Sequence, residues 1–248
     1  MSDTIKELTK QIKDQPKDAS LWLALGNAYV EENRLEDAID AFSQGIICNP
    51  FGVDCYHMRA RKYLTLRKCE FSVADFAMAA RLDPDNVDNF YYQGVAAYMG
   101  KMYDRAVEAL LKTIELMEAQ HVEETAAAVD WLWMTYTAMG KTEEADAIAS
   151  TIQADTPCLP RSNSYKKRVL LYNGTIRPED FLDRQSLKNT DRPELYLISE
   201  LFGLGNYYIA KGEPEKAIPL FKEVRDIPTW HDCFHYTLAC DYLKEQGL

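Results

Sequence analysis

No two cysteines in this chain stand at a CxxC spacing, and six in 248 residues are far too few for a disulfide scaffold. Cys48, Cys55, Cys69, Cys158, Cys233 and Cys240 lie mostly among apolar residues in helical stretches, so reduced, buried thiols are expected. Glycine (11) and proline (10) are scarce, which excludes a loop-rich or disordered chain. No apolar run approaches the length of a membrane span. The opening Met-Ser-Asp-Thr-Ile-Lys-Glu-Leu lacks the apolar centre of a signal peptide, so a cytoplasmic protein is expected. Positive charge is also short: 28 Lys and Arg against 39 Asp and Glu leave a net charge of −11. Such a surface repels a phosphate backbone, so neither nucleic acid nor membrane is an expected partner. There is no phosphate-cradling glycine loop, no GxSxG and no HExxH. Acidic pairs such as Glu31-Glu32, Glu123-Glu124 and Glu143-Glu144 read as solvated helix faces. The chain is therefore expected to be no enzyme and to carry no cofactor.

What the chain does have is a regular period of about 34 residues, the length of one helix–turn–helix unit. Pro16, Pro50 and Pro84 keep this spacing, as do Trp22, Tyr56 and Phe90, and Ile39, Val73 and Val107. A fixed period of this length marks stacked helix pairs. In the first unit Trp22, Leu25 and Tyr29 recur at three- and four-residue steps and so share one face of a helix. Gly26 and Ala38 are small where the two helices must approach closely, and Ala38, Ile39 and Phe42 mark the inward face of the second helix. Asn33 suits a left-handed turn between the helices, and Pro50 ends the unit. The order aromatic, Leu-Gly, Tyr, Ala, Phe, Pro resembles the tetratricopeptide repeat family. The resemblance implies an all-α, right-handed superhelix, an α-α solenoid that binds protein or peptide in its groove.

A second unit runs from Val53 to Asn86, with Arg59 and Ser72 replacing the usual leucine and alanine. A third begins at Val87, lacks its final proline and runs on through Leu116 and Met117. A fourth needs a five-residue shift to start at Ala126, and a fifth starts near Ile198. Ile5, Leu8 and Ile12 belong to a capping helix, and a last helix runs from about Asp232 to Gln246. Between Leu159 and Arg192 the phase is lost. A helix near Ser164–Tyr172, a turn at Asn173-Gly174 and a short helix from Pro178 are expected there. The division is thus 1–159 for the capping helix and repeats 1 to 4, 160–197 for a packed helical insert, and 198–248 for repeat 5 and its cap, in one continuous solenoid. The segment Leu170–Ile176 followed by Pro178-Glu179 is similar to the bacterial NlpI lipoproteins, a family of dimeric tetratricopeptide adaptors.

In such a stack the groove is lined by set positions of each first helix, which here bring Asn27, His57, Arg61, Tyr91 and Tyr98 to its floor. Aromatic rings and an arginine give contact area and directional bonds, which suits a peptide. The carboxylate clamp of tetratricopeptide chaperone cofactors is not expected. Asn27 matches it, but Leu23, Asp88 and Tyr92 stand where it needs two lysines and an arginine. Between Asp155 and Glu179 there is no acidic residue, while Arg161, Lys166, Lys167, Arg168 and Arg177 all fall there, a candidate basic docking patch. His231-Asp232-Cys233-Phe234-His235 has zinc-like spacing, but His235 occupies a structural aromatic position and Asp232 reads as a helix cap, so no metal is expected. The function implied is a non-enzymatic adaptor or scaffold. The alternatives are a homodimer joined through Trp131, Trp133 and the basic patch, and a sensor of a small signalling peptide.

Overall fold

A computed structural model describes residues 2–122 and 124–248; Glu123 lies outside them. Among the described residues all regular elements are helical. The chain forms two compact units, residues up to Leu116 and Met117–Leu248.

The first unit opens with α1 (Asp3–Asp14), whose Ile5 and Ile12 are buried against Leu25, Ala28 and Ala41, as a capping helix requires. Three helix pairs follow: α2 (Ala19–Glu31) with α3 (Leu35–Cys48), α4 (Val53–Thr65) with α5 (Cys69–Leu82), and α6 (Val87–Met99) with α7 (Tyr103–Ala119). Two of the first helices start on a side-chain cap. Asp18 accepts the Ser20 N–H at 2.9 Å and Asn86 accepts the Asp88 N–H at 3.1 Å, satisfying orphan donors of α2 and α6. Each first helix ends on a left-handed residue, at Asn33, Arg67 and Lys101 (φ 55°, 61° and 58°), which keep the spacing of the prolines. The amide that follows reaches back five residues, as Arg34 to the Tyr29 carbonyl and Lys68 to that of Tyr63. That closes the helix and reverses the chain in a tight turn.

The pairs then close on their small positions. A Cβ on Gly26 would overlap the Phe42 ring, and one on Gly94 would lie 2.6 Å from Leu110. The two departures in the second repeat are compensated. Arg59 forms a bidentate pair with Asp75 at 2.7 and 2.8 Å and donates to the Ser43 hydroxyl. Ser72 is buried and donates to the Ala60 carbonyl at 2.8 Å. The polar substitutions are therefore partnered where leucine and alanine would have been apolar.

The second unit contains α8 (Ala126–Ala138), α9 (Thr142–Ala149), α10 (Asn163–Tyr172), α11 (Pro178–Phe181), α12 (Arg184–Leu187), α13 (Pro193–Ala210), α14 (Pro214–Asp226) and α15 (Phe234–Glu245). The expected shift of phase is real: Gly140, the left-handed residue after α8, falls late by that same amount in the series Asn33, Arg67, Lys101. The expected loss of phase after Leu159 needs correction. Gly174 (φ 80°) falls one regular period after Gly140, and α10 packs between α8 and α13. α10 and α11 thus hold the place of a repeat whose second helix has shrunk to one turn. Asn173 also donates to the Ala149 and Ile152 carbonyls at 3.1 and 2.9 Å, closing the end of α9. The helix of the last full repeat starts at Pro193, ahead of the expected Ile198, and α15 is capped by the Cys233 sulfur rather than by Asp232. The six thiols are unbridged, but only Cys55 and Cys69 are buried; the other four are half-buried.

Nothing lies within 4 Å of a Cβ placed on Gly174, so its substitution tests backbone conformation alone. Gly174→Ala is expected to lower stability by about 1 kcal/mol and Gly174→Asn by clearly less, because asparagine tolerates the left-handed region. Urea unfolding midpoints of the full chain check this, and equal losses would contradict a left-handed junction.

Candidate functional site

The first helices α2, α4 and α6 carry the residues expected at the groove floor. Asn27 and Arg61 are exposed, while His57, Tyr91 and Tyr98 are half-buried. Three of the five converge on one ring that sequence reasoning did not assign to the floor, that of Tyr92. The Arg61 guanidinium lies 4.9 Å from its centroid, Tyr91 packs edge-on at 5.2 Å, and His57 does so at 6.2 Å. Tyr92 itself stacks on the buried Phe76 at 5.8 Å, which fixes the cluster to the core of the second repeat. His57 Nδ1 is 2.8 Å from Oδ1 of Asn89, a fully buried side chain whose Nδ2 has no hydrogen-bond partner among the described residues. Tyr98 lies instead beside Tyr103 at 5.9 Å. The available signal for Tyr92 was its clamp position, where an aromatic ring stands in place of a cation.

The five basic residues of the second unit do not form one free surface. Arg168 is fully buried: Nε and Nη2 donate to the two Asp130 oxygens at 2.8 and 2.7 Å, and Nη1 donates to the Ser199 hydroxyl. Burial alone would favour a neutral guanidinium, but the Asp130 carboxylate holds the Arg168 pKa above its ordinary value. Lys167 donates to the buried Glu200 at 2.8 Å, and Arg161 forms a two-point contact with the buried Glu124 at 3.2 and 2.7 Å. Glu124 is therefore no solvated acid, contrary to expectation. Lys166 is spent on the carbonyls of Ala154 and Thr156, and Arg177 on Asp180. The patch lacked acids in sequence because its acids come from other helices.

Asp130, Arg168 and Ser199 occupy the repeat positions that would line a groove in this unit, so an internal network fills that face. The start of α15 fills more of it. The buried His235 ring packs on Trp131 at 6.0 Å, Tyr165 at 5.8 Å and Phe202 at 5.1 Å, and Phe234 meets Trp131 at 6.1 Å. Trp133 stacks on Tyr172 at 3.6 Å. Trp131 and Trp133 are both buried in their own chain, which removes them as a homodimer contact. His231 turns to the Ile227 carbonyl at 3.1 Å, away from any shared ligand with His235. Among the described residues no three His, Cys, Asp or Glu side chains gather to hold a metal.

Comparison with known proteins agrees with the stacked helix pairs. The tetratricopeptide repeat family model matches residues 5–53 and 57–120. Two proteins of Arabidopsis thaliana are similar in sequence. Hsp70-Hsp90 organizing protein 3 is 29% identical over 103 residues, 42% of this chain and 18% of its own. Hsp70-Hsp90 organizing protein 2 is 27% identical over 110 residues, 44% of this chain and 19% of its own. The chain thus spans about a fifth of the length of these relatives. Among solved structures, YrrB, described as a TPR protein with an unusual peptide-binding site, superposes with a TM-score of 0.52 at 18% identity, over 97% of this chain and 98% of that one. MamA does so with a TM-score of 0.53 at 20% identity, over 58% and 81%. Both are similar in fold.

Two outcomes follow from the filled face. Arg168→Met leaves Asp130 buried and unpaired and is expected to cost about 3–5 kcal/mol, whereas Arg168→Met with Asp130→Leu costs clearly less; a double-mutant cycle in urea measures the difference. Burial, reinforced by Arg168, holds the His235 pKa well below its ordinary value, so only the unfolded chain takes up this proton near pH 6. Stability therefore falls as pH falls, by roughly 1 kcal/mol between pH 7.5 and 5.5 from this residue. His235→Phe is expected to flatten the pH dependence by that amount in paired denaturation curves.

Proposed function

We propose that this chain, which matches the tetratricopeptide repeat family model over residues 5–53 and 57–120, is a non-enzymatic adaptor or scaffold. Its α2–α4–α6 face holds a peptide or helix of a partner protein. One observation carries the reading: Arg61, His57 and Tyr91 converge on Tyr92 on a face where Arg61 and Asn27 stay exposed. Rings anchored on Phe76 lose little freedom when a partner docks, so they give area at low entropic cost. Helix pairs are rigid, and binding then orders mainly the partner.

The relatives point the same way. The Arabidopsis proteins are by name organisers of two other proteins, and YrrB is described as having a peptide-binding site. The manner of binding differs from a carboxylate clamp. With Leu23, Asp88 and Tyr92 in place of its cations, this face grips side chains along the partner rather than a terminal carboxylate. No helix among the described residues is long and apolar enough to cross a membrane, and we place the adaptor in the cytoplasm of a bacterium. A second reading, resting on the expected resemblance of Leu170–Ile176 to the NlpI family, is a dimeric adaptor, which a chromatographic mass of one chain would overturn.

The test is a cross-linked pull-down followed by titration of the captured partner. Arg61→Ala with Tyr91→Ala is expected to weaken that partner by about tenfold or more. Unchanged affinity would refute this face as the binding site.

A further inference from the structure

A cavity of about 330 Å³ opens in the second unit between α10, the start of α13 and the segment before α15. Its walls are largely aromatic: Tyr165, Tyr196, Trp230 and Phe234. Trp230 sits in the left-handed region (φ 59°), a costly conformation for a bulky side chain and one that clusters at ligand sites. The volume suits a small molecule or one large side chain.

The charges in the walls narrow the chemistry. Arg161 uses Nε and Nη2 on Glu124, while its Nη1 makes no hydrogen bond among the described residues. Asp232, on the same cavity, is exposed and forms neither an ion pair nor a hydrogen bond there. Glu124 balances the Arg161 charge, so Arg161 brings this cavity a free N–H donor and Asp232 an unpaired carboxylate. His235 adds no third charge, because burial keeps its imidazole neutral. The nearby Arg168 is neutralised by Asp130, and Arg192, 5.9 Å from the Trp230 centroid, lies beside Asp191. The Ser164 hydroxyl, which has no partner among the described residues, also lines the space.

We infer that this cavity binds a small zwitterion, a free α-amino acid with an aromatic or large aliphatic side chain. The ligand carboxylate meets Arg161 Nη1 and the Ser164 hydroxyl, the ammonium meets Asp232, and the side chain lies among the rings. A simple anion would face the Asp232 carboxylate, and a simple cation would leave the Arg161 Nη1 and Ser164 donors without an acceptor. The site lies on the second unit and uses no residue of the α2–α4–α6 face.

Calorimetric titration of the full chain with L-phenylalanine, phenethylamine and 3-phenylpropionate tests this. L-Phenylalanine is expected to bind saturably, and each analogue, lacking one charge, to bind about fivefold more weakly or worse. Asp232 is exposed, so Asp232→Asn leaves the fold intact. That variant is expected to lose about fivefold for L-phenylalanine and to gain affinity for 3-phenylpropionate, whose carboxylate no longer faces a like charge. No saturable binding of L-phenylalanine in the millimolar range, equal binding of all three compounds, or an Asp232→Asn variant with unchanged affinity would each overturn the assignment.

Discussion

Everything in this molecule depends on how closely the two helices of a pair approach. A Cβ added at Gly26, Gly94 or Gly205 would run into Phe42, Leu110 or Phe221 respectively. In each case a large side chain of the second helix fills the space that glycine leaves on the first. This one contact joins both helices to a common core and points the remaining positions of the first helix away from it. Residues that line a binding face are therefore chosen by the same spacing that builds the fold.

The two units use that spacing differently. In the first, the outward positions carry an aromatic and cationic cluster around Tyr92, with Arg61 left in solvent. In the second, the corresponding positions turn inward on themselves. Asp130, Arg168 and Ser199 form a buried network, and Gly203 makes room for it, since a Cβ there would overlap the Arg168 side chain. A buried ion pair of this kind adds little net stability over an apolar core, yet removing one partner is costly. It commits the unit to one arrangement of α8, α10 and α13. A partner surface in the first unit and a small open cavity in the second are consistent consequences.

The fold was largely legible because it rests on local, repeated signals. Pro16, Pro50 and Pro84 marked unit ends, Asn33 marked the left-handed junction, and the shift before Ala126 was visible from residue types alone. The degenerate repeat at α10 and α11 was missed because its second helix is one turn long and carries no periodic apolar face. Only the conformation of Gly174 restores its phase. Likewise, Cys233 rather than Asp232 caps α15, a choice between neighbours that side-chain type cannot make.

The candidate sites divide along the same line. Repeat position alone brought Arg61, His57 and Tyr91 to one face, because helical period decides direction. It did not place Tyr92 at their centre, since that depends on which ring of the next helix stacks on Phe76. The basic run from Arg161 to Arg177 looked free because charge along a chain says nothing about acids on other helices. Asp130 and Glu124 lie 37 or 38 residues away from their arginines, and only packing brings them together. The sequence by itself determined the helix pairs, their order and their outward faces, all set by interactions within a few residues. Tertiary structure alone decided which charges are spent inside the protein and which remain for a ligand, because a salt bridge is settled by distance in space.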